Sequence, residues 1–271
     1  MFREVCPICQ GVVLELRERE TQLWNIPSPG KIAVCRNRGF RFVVNPAAEF
    51  LNLKHYEGEE YHKGHGDKSL FFRKRLEELL RLAPGRKILD IGCATGQFLE
   101  VASEVGFDAF GVEPTEYAAG VARRRGLNVH HGFASDLPSC EYDVVHSNHV
   151  LEHIPDPVAF MKDVARVLKP GGIACIEVPN EFDNLPYILN TLMRTRKPQT
   201  EPSPHINFFD IRSLKQTFAR ADLRLFRWYT RTELAQQRLW NRVRSLPNNA
   251  VRCLGDLLKK GRNIVCLARK E

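Results

Sequence analysis

The sequence predicts an α/β fold with a doubly wound, mostly parallel sheet, and three observations support this prediction. Short apolar runs that are typical of buried strands alternate with segments whose apolar residues recur at helical spacing. Within residues 87–98, KILDIGCATGQF, one such run leads directly into a turn of small residues. A helical segment opens after that turn, at Gln97. Because small residues let the backbone approach a ligand closely, this turn predicts a nucleoside site at the carboxyl edge of the sheet.

Helices are predicted where apolar residues recur three or four positions apart. Leu76, Leu79 and Leu80 belong to such a pattern, which Pro84-Gly85 ends. Pro170-Gly171-Gly172 ends a second helix in the same way. The predicted helices are residues 70–82, 97–103, 117–125, 159–168 and 211–221, with a shorter amphipathic stretch at 185–194.

Strands are predicted from short apolar runs bounded by turn residues. Asp90 interrupts the first run, and Glu113 follows the second. The predicted strands are residues 88–91, 109–112, 129–131, 142–146, 173–178, 223–230 and 263–268. Because helices separate most of them, these strands fit one large sheet that is covered on both faces.

The spacing of the small residues separates the classes of cofactor. A dinucleotide fingerprint, G-x-G-x-x-G, would need glycine at positions 92, 94 and 97, but Ala94 and Gln97 occupy the last two. This spacing disfavours a nicotinamide-dependent oxidoreductase. Asp90, ahead of the turn, suits a ligand that carries an ammonium or sulfonium group. Glu113, at the tip of the second strand, is placed to accept hydrogen bonds from both ribose hydroxyls.

Several stretches in this region resemble the motifs of one enzyme family. Residues 90–96, DIGCATG, resemble motif I of class I S-adenosylmethionine (SAM) methyltransferases, D-x-G-C-G-T-G, with Ala94 as the middle residue. Ser135-Asp136-Leu137 resembles motif III, residues 147–157 (SNHVLEHIPDP) resemble motif IV, and LKPGG at 168–172 is a further family element. The resemblance implies a Rossmann-like seven-stranded sheet of order 3-2-1-4-5-7-6. It also implies that SAM is the cofactor and that the activity is methyl transfer.

The same resemblance implies where the cofactor binds. Asp136 and the backbone of Leu137 would recognise adenine by hydrogen bonds. Tyr61, in the segment before motif I, would help to cover the cofactor. The implied cofactor-binding set is Asp90, Gly92, Ala94, Gly96, Glu113, Asp136, Leu137, Asn148 and Tyr61.

Two histidines are the catalytic candidates. Methyl transfer from SAM is a displacement at an activated carbon, so the enzyme supplies proximity, orientation and, for some acceptors, a general base. His149 directly follows the fourth strand, and His205 is chosen because the pKa of histidine lies near working pH. His153 is interpreted as structural. The acceptor group that this pattern favours is a hydroxyl of a sugar-type, lipid-linked or secondary metabolite.

Two other hypotheses stay open. The side chains of His149, Glu152, His153 and His205 could converge on a divalent metal ion that assists O-methylation. Metal-dependent O-methyltransferases carry Glu-x-x-Glu-His and a later histidine, and His149 takes the place of their first glutamate. Alternatively, the protein binds SAM without transferring its methyl group.

Residues 1–45 are predicted to form a small ribbon-like appendage. Cys6 and Cys9 form a C-x-x-C turn, and Cys35 begins an apparent second turn in which Arg38 replaces the fourth cysteine. The segment resembles the zinc ribbon that precedes some bacterial methyltransferases. The open interpretations are a metal-free degenerate ribbon, a three-cysteine site completed by a distant histidine, and a zinc site weakened in this chain. We expect a weak or vestigial zinc site.

The remaining chain is divided by the positions of the motifs. Residues 46–86 are predicted to be a linker and a helix that precedes motif I, and residues 87–271 to be the methyltransferase domain. Within this domain an acceptor cap is expected at 183–205 and a basic helical insertion at 232–260.

The formal net charge of +8 is concentrated late in the chain. Residues 190–262 hold 16 Lys or Arg and 5 Asp or Glu. This excess fits a solvated face, an anionic or lipid-linked small-molecule acceptor, or peripheral membrane contact through residues 234–260. No nucleic-acid partner is expected, because no nucleic-acid-binding motif accompanies the charge. The absence of an apolar run of about 18 residues and the eight scattered cysteines predict a soluble, cytoplasmic protein.

Overall fold

The computed structural model describes residues 5–12, 14–47, 57–58, 68–193, 204–232 and 246–271. Within these ranges the strands form a seven-stranded sheet and a four-stranded sheet. The strands are β1 (Leu14–Leu16), β2 (Lys31–Cys35), β3 (Arg41–Val44), β4 (Lys87–Ile91), β5 (Asp108–Glu113), β6 (Asn128–His131), β7 (Tyr142–Asn148), β8 (Leu168–Pro179), β9 (Asn207–Phe208), β10 (Leu223–Arg231) and β11 (Asn263–Lys270). The helices are α1 (Glu18–Leu23), α2 (Ser69–Leu82), α3 (Gln97–Val105), α4 (Glu116–Arg124), α5 (Pro157–Val167), α6 (Leu185–Leu192), α7 (Ile211–Ala219) and α8 (Leu246–Leu257), with 3₁₀ turns at Ala134–Asp136 and Leu151–His153.

The seven-stranded sheet has the order β10-β11-β8-β7-β4-β5-β6. Counted along the chain within this sheet, β4 to β8 are strands one to five, and β10 and β11 are six and seven. The predicted order 3-2-1-4-5-7-6 and the predicted fold class are therefore confirmed. Strands β4 to β8 pair in parallel, whereas β11 runs antiparallel to both β8 and β10. The carboxyl ends of β4, β5 and β7 consequently lie side by side, as a ligand site at this edge requires.

Strand β4 shows how the sequence builds a core on both faces of this sheet. Ile88 and Leu89 are adjacent and fully buried, yet they belong to different hydrophobic clusters. Ile88 shares its cluster with Leu76 of α2, and Leu89 shares the other with Val164 of α5. Successive strand residues point to opposite faces, so a sheet covered on both faces needs an uninterrupted apolar run.

Strand β8 begins earlier than the sequence predicts. Pro170-Gly171-Gly172, interpreted as the end of a helix, lies inside this strand. A register irregularity between Tyr142 and Val144 of β7 accommodates the extra residues. A Cβ at Gly172 would lie 2.9 Å from the carbonyl oxygen of Lys169, so this close approach of the backbone requires glycine.

The four-stranded sheet is antiparallel and has the order β1-β2-β3-β9. Its last strand, β9, comes from residues that follow the predicted cap. The ring centroids of Phe40 and Phe209 are 5.1 Å apart, and Phe40 and Phe42 belong to the same cluster as Leu89. The small sheet therefore packs against the main domain close to the segment that carries His205. The domain boundary at residue 45 stays a prediction.

Residues 194–203 of the predicted cap and 233–245 of the basic insertion lie outside the described ranges. The described parts include α6 and α8. The Leu185 N–H, at the start of α6, donates a hydrogen bond at 2.7 Å to the carbonyl of Lys260, three residues after the end of α8. Leu192 and Leu257 on these helices are 74% and 80% exposed. Across the described ranges, every helix is too short or too polar to cross a bilayer. Peripheral membrane contact through residues 234–260 stays a prediction.

Candidate functional site

The turn after β4 adopts a backbone conformation that needs small residues. Gly92, Ala94 and Gly96 have positive φ values of 75°, 47° and 90°. A Cβ at Gly92 would lie 2.6 Å from Val150, and a Cβ at Gly96 would lie 2.2 Å from Leu127. Neither glycine position can therefore carry a side chain without displacing its neighbour. Ala94 occupies left-handed backbone space at a cost of about 1–2 kcal/mol.

Glu113 holds this turn against the end of β5. Its Oε2 accepts a hydrogen bond from the Ala94 N–H at 2.9 Å. Its Oε1 accepts bonds from the N–H and the hydroxyl of Thr115, at 3.0 and 2.6 Å. A carboxylate has about four lone-pair sites, so these bonds leave capacity for one more donor such as a ribose hydroxyl.

Two cavities open at this edge of the sheet. The smaller one, of about 420 Å³, is lined mainly by apolar groups at the ends of β4 and β5, with Glu113 and Phe133 in its wall. The larger one, of about 730 Å³, is lined about equally by apolar groups and by polar groups, which include Asp90, Asn148 and His205. The two cavities share the wall residues Gly92, Ala94, His149, Val150 and His153.

The structure brings most of the predicted cofactor residues to these cavities, but not all of them. Asp90 and Asn148 line the larger cavity, Glu113 lines the smaller one, and Gly92 and Ala94 line both. Gly96, Asp136 and Leu137 line neither cavity. Tyr61 lies outside the described residues.

Asp136 stabilises its own turn instead of facing the smaller cavity. Its Oδ2 accepts a hydrogen bond from the Phe133 N–H at 2.7 Å, and this bond lowers the pKa of the carboxyl group. The preceding residues of the turn, Ala134 and Ser135, line the cavity with Phe133. The acid of motif III was therefore the wrong choice for the wall of this cavity, and Phe133, which is 54% exposed, was not predicted.

Asp90 has a buried imidazole as its partner. Its Oδ1 lies 2.7 Å from Nδ1 of His146, which pairs with it across β4 and β7. The His146 ring stacks on Phe98 at 3.9 Å, and its Nε2 has no hydrogen-bond partner among the described residues. Burial raises the pKa of Asp90, and the charge of His146 opposes this effect. His146 was not predicted as a site residue, because its only signal in the sequence is a titratable side chain inside an apolar strand.

Glu152 lies at the centre of a histidine cluster. Its Oε1 is 3.2 Å from His149 Nδ1, 3.9 Å from His153 Nε2 and 4.0 Å from His205 Nε2. The residue is 1% exposed, and neither carboxylate oxygen has a properly oriented hydrogen bond among the described residues. Burial alone would raise the pKa of Glu152, but the three histidines lower it to about 2. His149 also has a positive φ of 57°, which is uncommon for a residue with a side chain.

The histidines of this cluster differ in pKa. Burial lowers the pKa of His205, but Glu181, whose Oε1 is 2.6 Å from His205 Nδ1, outweighs burial and raises it to about 9. The pKa of His205 therefore lies above the ordinary histidine value on which its choice as a base rested, because its carboxylate partner was not foreseen. Burial lowers the pKa of His153 to about 4. For His149, Glu152 outweighs burial and raises the pKa.

Glu177 lies next to the Glu152 cluster and forms buried ion pairs with two arginines. It is fully buried on β8 and accepts hydrogen bonds from Arg75 at 3.0 Å and Asn263 at 2.9 Å. Arg231 forms a second ion pair with it at 2.6 Å. Burial would raise the pKa of Glu177, but the two arginines hold it below its usual value. Glu177 with Arg75, Arg231 and Asn263 is called the Glu177 hub below. The Glu177 carbonyl also accepts a hydrogen bond from the N–H of His149 at 3.0 Å, so the Glu177 hub positions this strained histidine.

The sulfur atoms of Cys6, Cys9 and Cys35 converge at a separate place, beside the small sheet. All three lie within 4.8 Å of one another. Burial raises the pKa of Cys6 to about 12. Burial also acts to raise the pKa of Cys9, but the Gly11 N–H, the neighbouring thiols and Arg38 lower it. The predicted ligands therefore meet in space.

The decisive comparison is with a protein family. A family described as "Methyltransferase domain" matches residues 64–227, more than half of the chain. The chain belongs to this methyltransferase family. The seven-stranded fold and the similarity to SAM-dependent methyltransferases agree with this assignment.

Individual relatives share shorter stretches. A probable SAM-dependent methyltransferase of Mycolicibacterium smegmatis is 30% identical over 132 residues, which cover 46% of this chain and 51% of the relative. A ubiquinone biosynthesis O-methyltransferase of Methylococcus capsulatus is 37% identical over 97 residues, or 32% of this chain and 41% of the relative. The chain thus spans about half or less of these relatives. The crystal structure of a SAM-dependent methyltransferase from Archaeoglobus fulgidus matches with a TM-score of 0.50 and 22% identity, over 83% of this chain and 100% of that one, which is a likeness of fold.

The residues of this methyltransferase fit SAM. Because Gly92 and Gly96 have no Cβ, the backbone of the turn can approach a ligand closely. Glu113 offers a buried carboxylate in the smaller, mainly apolar cavity. That cavity suits an adenosine group, whereas the larger cavity, with polar groups such as Asp90 and Asn148 beside apolar ones, suits the methionyl group and an acceptor. Bound SAM supplies an activated methyl group. The individual roles of the cofactor-binding residues stay predictions.

Proposed function

We propose that this methyltransferase transfers the methyl group of SAM to a hydroxyl oxygen of a small-molecule acceptor, with His205 as the general base. One observation carries the proposal. His205 and Glu181 form a close imidazole–carboxylate pair, and His205 lines the same cavity as the motif I residues Gly92 and Ala94.

The His205–Glu181 pair has the chemistry that a general base needs. With Nδ1–H donated to Glu181, the other nitrogen of His205 can accept a proton from an acceptor hydroxyl. The buried carboxylate then stabilises the imidazolium that forms. Glu181 is 8% exposed, so water screens this interaction weakly.

The charges of the larger cavity support an anionic acceptor. It is lined by Lys68, by Arg262 and by the two histidines whose pKa values are raised, His149 and His205. Asp90 is the acid in its wall among the described residues. Because Asp90 is paired with His146, the wall is cationic on balance. The ubiquinone relative makes a phenolic or quinol hydroxyl the first acceptor group to test.

Isotope-labelled SAM tests this function directly. The protein is incubated with SAM that carries a labelled methyl group and with panels of phenolic, quinol and sugar-type acceptors. We expect the label on an oxygen of the product, located by mass and NMR spectroscopy. A labelled nitrogen or carbon would contradict O-methylation. SAM binding by calorimetry without any labelled product would favour a SAM-binding protein that lacks transferase activity.

The pH dependence of turnover tests His205 as the base. Because its pKa is raised to about 9, the neutral basic form is scarce at pH 7, and kcat is expected to rise until the pH passes about 9. Glu181→Gln removes the charge that raises this pKa, so the inflection should move down toward the ordinary histidine value of about 6.5. The measurement is kcat from about pH 6 to pH 10 for both proteins. Identical inflections would rule out His205 as the titrating base.

A metal-assisted O-methyltransferase is the second candidate, and a specific observation favours it. Ligand atoms of Glu152, His153 and His205 lie within 4.8 Å of one another, and the buried Glu152 carboxylate lacks an oriented hydrogen bond among the described residues. Imidazole and carboxylate groups suit a divalent ion, which would polarise an acceptor hydroxyl. These three residues would hold the ion, with His149 next to Glu152.

Metal removal separates the two candidates. If the cluster binds a metal, dialysis against a chelator should abolish turnover, and Mn²⁺ should restore it. Electron paramagnetic resonance should then show one bound Mn²⁺ per chain, and Glu152→Gln should lose it. Full turnover in chelator with no bound Mn²⁺ would leave His205 as a metal-independent base.

A further inference from the structure

The three N-terminal cysteines are presented by two similar backbone turns. In the first turn the Cys6 carbonyl accepts the N–H of Gln10 at 2.8 Å, and in the second the Cys35 carbonyl accepts the N–H of Gly39 at 2.6 Å. Gln10 and Gly39 both have left-handed backbone, with φ of 59° and 70°. Two turns with the same hydrogen-bond pattern and backbone conformation thus bring together sulfur atoms from distant parts of the chain.

Arg38 occupies the position in the second turn that Cys9 occupies in the first. Each lies three residues after the first cysteine of its turn, and the Arg38 N–H also bonds to the Cys35 carbonyl, at 3.2 Å. The Arg38 side chain is exposed, and its charge acts on the Cys9 sulfur. The second turn therefore places a cation where a ribbon would place its fourth ligand.

The sulfur spacing matches a metal site better than a disulfide. Sγ of Cys9 and Sγ of Cys35 are 3.6 Å apart. A disulfide bond would need about 2.05 Å. Zinc–sulfur bonds of about 2.3 Å at tetrahedral angles give sulfur–sulfur distances of about 3.8 Å.

We propose that Cys6, Cys9 and Cys35 bind one zinc ion as three thiolates and that Arg38 compensates its charge. Three thiolates and Zn²⁺ sum to one negative charge, which a single guanidinium neutralises. Arg38 cannot be a ligand because it stays protonated. The fourth coordination position is therefore open to water or another small ligand.

A metal bound by these sulfur atoms would link the turn of Cys6 and Cys9 to Cys35, at the end of β2 in the small sheet. Cys6, Ile8 and Cys35 are buried in the cluster that contains Phe40. Arg220, which follows α7, donates a hydrogen bond to the Ile8 carbonyl. Binding in this position should stabilise the folded protein in proportion to metal affinity.

Metal content of the full chain tests the proposal. The protein is purified without a polyhistidine tag under reducing conditions, and zinc is measured by inductively coupled plasma mass spectrometry. We expect one zinc per chain that Cys9→Ser loses. Loss of a residue that only hydrogen-bonds to a metal ligand weakens metal affinity by roughly 10–100-fold, so loss of a ligand itself should weaken zinc affinity by at least as much. The exposed Cys253 provides the matched control, since Cys253→Ser should keep the zinc. Glu152→Gln should keep it too, which separates this site from the histidine cluster.

Substitutions at Arg38 test the open position and the charge. Arg38→Cys should supply a fourth thiolate, tighten zinc binding and increase the thiolate-to-metal absorption of the Co²⁺-substituted protein by about one third. Arg38→Gln should weaken binding by about 10-fold. Arg38→Lys should retain binding. Zinc in Arg38→Cys but not in the natural sequence would show a vestigial site, and an intact mass two hydrogens lower would show a disulfide. Either result overturns the proposal.

Discussion

Glu177→Ala is expected to lower the free energy of unfolding by about 3–5 kcal/mol, because it leaves buried arginine charge uncompensated. Arg75 is 3% exposed and bonds to Glu177 at 3.0 Å, and the Arg231 side chain is 14% exposed and pairs with it at 2.6 Å. Water cannot replace the lost carboxylate around Arg75. Urea unfolding monitored by circular dichroism measures the change.

A surface ion pair provides the control for this prediction. Arg73 and Glu104 pair with side chains that are 42% and 59% exposed. Glu104→Ala is expected to change stability by at most about 1 kcal/mol, since water screens the pair. Equal losses of unfolding free energy in the two variants would show that the buried ion pairs of Glu177 stabilise the fold no more than a surface pair does.

The same hub gives stability a defined dependence on pH. The pKa of Glu177 is lower in the folded protein than its usual value. Its contribution is therefore fully present above the unfolded pKa of about 4.3 and is lost as the pH falls through the folded pKa. The stability difference between the natural protein and Glu177→Gln should accordingly shrink on acidification below about pH 4.

The fold could be predicted because its signals are local. The apolar run around Leu89 and the glycine turn that follows it specify a buried strand and a close approach within a few residues. The extent of β8 could not be predicted, because Pro170-Gly171-Gly172 is a turn signal unless a neighbouring strand supplies the pairing. Strand β9 was missed for the same reason. Its two residues pair with β3 from far along the chain.

The site could be predicted only in part, because its chemistry depends on partners distant in sequence. Asp90 and His146 are 56 residues apart and meet through the register of β4 with β7. Glu177 and Arg75 are 102 residues apart. No periodicity reveals such pairs. The choice of His205 survived as a proposal, but the reason given for it failed, since Glu181 sets its pKa.

His205→Ala is expected to lower kcat by about 10²–10⁴-fold, the usual contribution of a general base. SAM affinity measured by calorimetry should stay unchanged, because His205 is not among the predicted cofactor contacts. His205→Gln keeps a polar side chain of similar size and should lose activity to a similar extent. It is the control for a folding defect in His205→Ala. The exposed His130 lines neither cavity, so His130→Ala should retain full turnover. A His205→Ala variant with undiminished kcat would remove this residue as the base.

Combining His205→Ala with Glu181→Gln shows whether the two residues act as one unit. If Glu181 acts through His205, Glu181→Gln alone should slow turnover at high pH, and the double variant should be no slower than His205→Ala. Independent roles would instead multiply the two losses. A metal-ligand role for His205 makes a different prediction, since His205→Ala would then also lose bound Mn²⁺. Kinetics and metal binding on these variants therefore identify which of its two neighbours, Glu181 at 2.6 Å or Glu152 at 4.0 Å, determines what His205 does.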